Sequence, residues 1–145
     1  MPEPALRERE FRNPSEERVG ETLRAAGIDF EYEGRNVEYL VPARKAEYLP
    51  DFRTRIGNII LEVKGWFGKQ GAKERQKYIL VREAHPELDI RFVFTDANKK
   101  IYKKSPTTYA KWADDHGFKW STKLHVPQQW LEDMKREVKR CKRSK

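Results

Sequence analysis

Hydrophobic positions in this chain change period several times, and each change marks an element. From residue 13 the period is helical. Asn13-Pro14-Ser15-Glu16 supplies an N-cap, a proline at the first helical position and a capping-box acid, and Gly27 supplies a C′ residue. Val19, Leu23 and Ala26 form the inward stripe of this helix, and Glu16, three residues before Val19, lies on the same stripe. Glu17 shares its face with Glu21 and Arg24 and reads as solvated surface. The period then drops to two. Phe30-Glu31-Tyr32-Glu33 and Val37-Glu38-Tyr39-Leu40-Val41 predict two strands joined at Gly34-Arg35-Asn36. Glu31, on the side away from Phe30 and Tyr32, belongs either to a solvated strand face or to an acidic cleft. A link over residues 42–46 leads to an extended run, Glu47 to Arg53. Asn58 to Lys64, bounded by Gly57 and Gly65, completes a predicted hairpin turning about Ile56-Gly57.

Residues 72–84 predict a helix with Ala72, Gln76, Ile79 and Leu80 on one side, stopped by His85-Pro86, and Ile90 to Phe94 reads as a buried strand. Strand, helix and strand in close succession predict a right-handed βαβ crossover. The expected fold class is therefore α/β, a mixed β-sheet flanked by helices. Further on, Asp96-Ala97-Asn98 predicts a turn and Lys99 to Lys104 a short basic strand. Ser105-Pro106 predicts the N-cap and first residue of a helix that carries Tyr109, Trp112 and Ala113 inward and ends at Gly117. Phe118 and Trp120 are placed on the sheet edge, and Pro127 to Lys135 predicts a last helix anchored by Trp130, Leu131 and Met134. Aromatics at these spacings read as core first and as base-stacking groups second. The chain thus divides into a charged arm (1–12), one domain (13–134) and a basic tail (135–145). The tail, with seven Lys or Arg and one Glu in eleven residues, is expected to be disordered and to add sequence-blind affinity for a nucleic-acid backbone.

Charge narrows the classes of partner. With 31 Lys and Arg against 23 Asp and Glu, the net charge is +8. A polyanion is the expected partner, nucleic acid first and an acidic membrane surface second. No apolar run approaches the roughly 20 residues that span a bilayer, and Met-Pro-Glu-Pro lacks a signal-peptide core. The single Cys141 excludes an intrachain disulfide and a thiol zinc cluster, so a soluble protein of a reducing compartment is expected. P-loop, dinucleotide fingerprint and Ser/His/Asp set are all missing, and His85, His116 and His125 are isolated.

The candidate chemistry is Asp51, then ten residues, then Glu62-Val63-Lys64. Strand residues alternate, so Glu62 and Lys64 share a face while Leu61 and Val63 take the other. In a hairpin turning about Ile56-Gly57, Asp51 falls opposite Glu62, and opposed Cβ atoms lie about 4.5–5.5 Å apart. A bulge at Gly57 would break that register. Carboxylates this close repel unless a hard cation sits between them; Mg²⁺ takes carboxylate oxygens, and an all-oxygen set favours it over zinc. The lysine could orient water or stabilise transition-state charge. The residues alone also allow an exposed face with ordinary Glu–Lys pairing, and allow Glu16 to be only a helix cap. Lys69, Lys73, Arg75, Lys77 and Arg82 form either a phosphate-contacting surface or a solubilising helix face.

Pro50-Asp51…Glu62-Val63-Lys64 matches the signature of the PD-(D/E)XK nuclease superfamily. Longer strings, Gly27 to Glu33, Tyr48 to Phe52, Val81 to Phe94 and Tyr102 to Tyr109, resemble the bacteriophage endonuclease I family of DNA junction-resolving enzymes. The likeness runs from about Phe11 to about Glu132. It implies that residues 13–134 are a nuclease domain, with a PD-(D/E)XK nuclease-like core in an intertwined, domain-swapped homodimer. It implies a metal-dependent endodeoxyribonuclease that resolves four-way (Holliday) junctions and other branched DNA by paired nicks, in the cytoplasm of an infected bacterial host. Asp51 and Glu62 would hold Mg²⁺ or Mn²⁺ with the Val63 carbonyl as a third ligand, and Glu16 would complete a second metal position. Lys64 would act on water or the scissile phosphate, and Glu16 would serve the partner chain's site. The hairpin loop departs from the family pattern in composition and length. Two other readings stand beside this one: a sequence-specific or mismatch endonuclease of the same superfamily, and a non-catalytic basic nucleic-acid-binding module indifferent to Mg²⁺.

Overall fold

β-branched residues between two glycines put the centre of the fold at Ile59–Lys64, where five of six residues are buried. The structure, a computed structural model, describes residues 10–41, 44–66 and 71–143, so most of the expected charged arm lies outside the described residues. In chain order its elements are α1 (Pro14–Ala25), β1 (Phe30–Tyr32), β2 (Val37–Val41), β3 (Arg44–Tyr48), β4 (Phe52–Thr54) and β5 (Ile59–Lys64). They continue with α2 (Gly71–Ala84), β6 (Asp89–Phe94), α3 (Tyr109–Asp115), β7 (Lys119–Ser121) and α4 (Gln128–Arg143). The main sheet has the order β1-β4-β5-β6-β7, while β2 and β3 form a separate pair. β1, β4 and β5 are antiparallel neighbours, and β5-β6 and β6-β7 are parallel. The sheet is therefore mixed, and α2 makes the expected crossover between parallel strands.

Period-two alternation sends the two faces of the sheet to different partners. Phe52, Ile59, Leu61, Val63 and Val93 pack with Val19 and Leu23 of α1 and Trp130, Leu131 and Met134 of α4. Ile60, Ile90, Phe92 and Phe94 pack with Tyr78 and Val81 of α2, Trp112 of α3, and Val37, Tyr39 and Tyr48 of the β2-β3 pair. α1 starts as its sequence dictates: Asn13 caps it by accepting from the Glu16 N–H at 2.9 Å, with Pro14 in the first turn.

Several expectations need correction. β1 and β2 do not form a hairpin, because β1 pairs with β4 and β2 with β3. Glu33 turns the chain out of the sheet in the left-handed region, φ 48°, while its N–H still bonds the Asp51 carbonyl. β3, Arg44–Tyr48, takes in the end of the supposed link (42–46) and the start of the supposed extended run, which is broken before β4 because β3 pairs with β2. Charged residues hid the alternation of Ala46 and Tyr48, and residues 42–43 lie outside the described ones. Lys99 to Lys104 is not a strand, since β7 already occupies the β6 edge, and only a Lys100–Thr108 bridge forms. α3 is capped by Thr108, not Ser105, whose hydroxyl instead accepts from the Thr107 N–H in a local turn. α2 turns Gly71, Tyr78 and Val81 inward; of the expected stripe Ile79 and Leu80 pack against the core, whereas Ala72 and Gln76 are exposed. Finally, the basic tail is helical as far as Arg143, because Val138 and Cys141 continue the stripe of Leu131 and Met134 and stay half-buried.

Candidate active site

The end of β1, the start of β4 and the end of β5 meet at one end of the sheet. The β4-β5 ladder pairs Phe52 with Leu61 and Arg53 with Ile60, so one step further sets Asp51 opposite Glu62. No bulge intervenes at Gly57, whose φ of 123° suits the turn. The Asp51 N–H donates to Glu62 Oε2 at 2.9 Å, and the Val63 N–H donates to Asp51 Oδ2 at 2.9 Å. The two carboxylates of the motif are thus brought together as the register requires.

Glu62 is 2% exposed and is held by hydroxyls from both sides. Tyr48 of β3 donates to Oε2 at 2.5 Å, and Tyr78 of α2 donates to Oε1 at 2.9 Å. Burial, reinforced by the charge of Glu62, pushes both phenols well above their usual pKa, so they remain donors. Lys64 Nζ lies 3.8 Å from Glu62 Oε1 and makes a close ion pair with Glu74 of α2. Burial alone would lower the lysine pKa; Glu62, Glu74 and Asp51 outweigh it and raise it, so the amine is a cation here.

The other side of Asp51 is different. Oxygen atoms of Glu16, Glu33 and Asp51 lie within 4.8 Å of one another. Glu16, 4% exposed, accepts from the Arg12 N–H at 3.2 Å and from the Tyr32 hydroxyl. Glu33 has the Arg12 guanidinium at 3.5 Å. Burial, then Glu62, then Glu16 push the Asp51 carboxyl up to about 8, against the pull of the Val63 N–H and Lys64. A carboxylic oxygen cluster of this kind, all hard donors and short of positive charge, fits a divalent cation such as Mg²⁺. Glu31 lies apart: it is buried on β1 and paired with Arg35 at 2.7 Å, so it belongs neither to a solvated face nor to the cluster.

The three motif residues Asp51, Glu62 and Lys64 and the helix residue Glu16 therefore converge, but the tight carboxylate trio contains Glu33 and not Glu62. Sequence reading missed Glu33, Glu74, Tyr48 and Tyr78. Glu33 becomes visible only once β1 is paired with β4, since that register, carried one step beyond Tyr32–Phe52, faces it with Asp51. Glu74 and Tyr78 had a local signal, their spacing with Gly71 and Val81 along one helix stripe. Of the basic group around α2, Lys77 lies over the Tyr78 ring at 4.9 Å and Arg82 over the Phe118 ring at 4.9 Å, while Lys73 stands on an exposed turn. Lys69 lies outside the described residues.

Fold and site together define an α/β protein with a carboxylate cluster and a lysine at the end of its central strand. The phage endonuclease I family model matches residues 3–144. Endonuclease I of Escherichia phage T7 is 43% identical over 128 residues, which is 88% of this chain and 83% of that protein. Endodeoxyribonuclease 1 of Enterobacteria phage T3 is 40% identical over 130 residues, 90% of this chain and 82% of that one. The chain belongs to the phage endonuclease I family. Among the described residues no helix is long and apolar enough to cross a membrane.

Proposed function

We propose that this protein is a Mg²⁺-dependent endodeoxyribonuclease that cuts four-way junctions and other branched DNA by paired nicks. The observation that carries the reading is the Glu16–Glu33–Asp51 trio beside the Glu62–Lys64 pair, in a chain with a net charge of +8. Glu16, Glu33 and Asp51 would hold the cations, with Glu62 and the Val63 carbonyl at their edge, and Mn²⁺ would substitute. When bound, such ions supply Lewis-acid polarisation of a phosphoryl oxygen and a nucleophile at neutral pH. The chain's residues do the rest. Glu62, fixed by Tyr48, Tyr78 and the Asp51 N–H, keeps one orientation through the reaction. Lys64 faces the scissile phosphate as a cation and offsets charge developing there. Lys73 and the basic face of α4 bind the DNA backbone, and exposed Trp66, two residues beyond Lys64, flanks the site.

Two nicks in opposite strands call for two sites, and we read the working form as an intertwined homodimer. In the single chain Glu16 reaches its own Asp51. Exchange of α1, β1 and β2 about the connection between β2 and β3 would reproduce the same contacts between chains. A mixed dimer of Glu16→Gln and Asp51→Asn chains distinguishes the arrangements: exchange restores one intact site and half the activity, whereas unexchanged chains leave both sites broken. The overall reading is tested with synthetic four-way junctions of unrelated sequences. Cleavage of all of them in Mg²⁺, with none in EDTA and little on linear duplex, is expected. Cleavage confined to one sequence would favour a sequence-specific nuclease, and Mg²⁺-indifferent binding without nicks a non-catalytic module.

A further inference from the structure

Four groups close a circuit beside the catalytic strand. Lys64 Nζ donates to Glu74 Oε1; the Tyr78 hydroxyl lies 3.4 Å from that same oxygen and 2.9 Å from Glu62 Oε1; and Glu62 Oε1 is 3.8 Å from Lys64 Nζ. Glu74 and Tyr78 stand four residues apart on α2, so one helix turn presents both to the site. A phenol has a single proton to donate, and the shorter contact assigns it to Glu62. The Glu74 carboxylate is left to the lysine. The Lys64 side chain is 16% exposed and its amine lies 5.4 Å from the Tyr78 ring centroid, over the ring that also orients Glu62.

We propose that Glu74 is a positioning residue for the cleavage reaction, holding the Lys64 ammonium away from Glu62 and Asp51 so that those carboxylates stay open to cations and the amine stays open to phosphate. This rests on the nuclease reading of Lys64, Glu62 and Asp51 given above. The physical reason lies in competition for one flexible cation. A lysine amine on a four-carbon stem moves to the strongest acid field within reach. Glu62 Oε1 is already nearby at 3.8 Å, just beyond hydrogen-bond range. Without a counter-charge on α2, the amine would close on Glu62 and Asp51 and neutralise the negative field that a divalent ion requires. Glu74 supplies that counter-charge from outside the carboxylate trio, and Tyr78 fixes the acid on the opposite side of the lysine.

The test uses the full-length protein and Glu74→Gln, which keeps shape and removes charge, with Glu74→Asp as the charge-conserving variant. The expected result for Glu74→Gln is a fall of about 10- to 100-fold in single-turnover cleavage. Mn²⁺ affinity in the absence of DNA, read by titration calorimetry, should weaken several-fold. Affinity for a four-way junction in EDTA and the thermal midpoint should change little. Glu74→Asp should recover part of both the rate and the Mn²⁺ affinity. In Lys64→Ala, adding Glu74→Gln should cost nothing further, because the cation being held is gone. Wild-type cleavage and Mn²⁺ affinity in Glu74→Gln would overturn the proposal, as would losses that follow the thermal midpoint alone. Should Glu74→Gln fail to fold, Glu74→Ala takes its place: slowed cleavage and weakened Mn²⁺ binding with junction affinity intact support the proposal, and wild-type values of both refute it. Full activity in Lys64→Ala would instead remove the underlying reading of the site, a separate outcome from failure of Glu74→Gln beside an inert Lys64→Ala.

Discussion

The two sides of Asp51 are stabilised in opposite ways. Toward β5 and α2, the buried Glu62 receives two phenolic hydroxyls and a backbone N–H, and Lys64 stands close by. Toward α1 and β1, Glu16, Glu33 and Asp51 crowd together, and burial, then Glu62 across the strand, then Glu16 hold the Asp51 proton up to about 8. The first side is complete within the protein: its charge is matched by donors that packing keeps in place. The second is left with more negative charge than its surroundings offset, and one of its residues, Glu33, sits in a left-handed conformation that costs on the order of 1–2 kcal/mol. Nearby strain and unmatched charge are tolerated at sites that something else completes. The contrast separates a half that the protein completes by itself from a half that, on the proposed reading, a cation would complete.

The largest effect should come from destroying the cation half. Asp51→Asn is expected to lower junction cleavage by at least about a thousandfold, with binding in EDTA within a few-fold of wild type; cleavage assays and gel shifts measure the two. Next, Glu33→Gln should weaken Mn²⁺ binding by at least the roughly tenfold that loss of an outer partner costs, read by calorimetry. Unchanged Mn²⁺ affinity would take Glu33 out of the site.

The contrast also has a pH signature. In EDTA the folded state retains a proton on Asp51 up to about 8, whereas the unfolded chain releases it near 3.8. Stability from this group is fully present below the unfolded value and declines as pH rises toward 8. The metal-free thermal midpoint should therefore fall between pH 5 and 8, and saturating Mg²⁺ should remove the fall. Apparent Mg²⁺ affinity should climb over the same range, because binding displaces the proton. A flat affinity profile would contradict the assignment. On the protein-satisfied half, Tyr48→Phe should cost about 1–3 kcal/mol in urea unfolding, by leaving Glu62 Oε2 with the Asp51 N–H alone. The smallest effect lies farthest away: Lys139→Gln with Lys142→Gln on α4 should lower the salt slope of DNA binding by about one unit for each phosphate that goes without its lysine.

Much of this was legible in the chain. Asp51 opposite Glu62 followed from a hairpin with a symmetric turn, and Glu16 from its place on the buried stripe of a capped helix. Both are local patterns, set by strand and helix periods. Glu33 was hidden because its role depends on β1 pairing with β4, across the intervening β2 and β3. Glu74 and Tyr78 were hidden because the stripe of α2 was phased on Ala72 and Gln76, which face solvent; of that stripe Ile79 and Leu80 reach the core, while Tyr78 and Val81 carry the fully buried face. A charged residue on a buried stripe points to a site on α2 as it does on α1. The helical course of 135–143 was obscured by its basic residues, although Val138 and Cys141 carry the apolar spacing onward.

The central claim is that Glu16, Glu33 and Asp51 are brought together to hold a divalent cation beside Glu62 and Lys64. Crystals grown with Mn²⁺ and measured at the manganese absorption edge test it most directly. An anomalous peak among the three carboxylates, within about 2.0–2.6 Å of their oxygens, is the expected result. Full manganese occupancy elsewhere on the molecule, with no peak in this cluster, would contradict it.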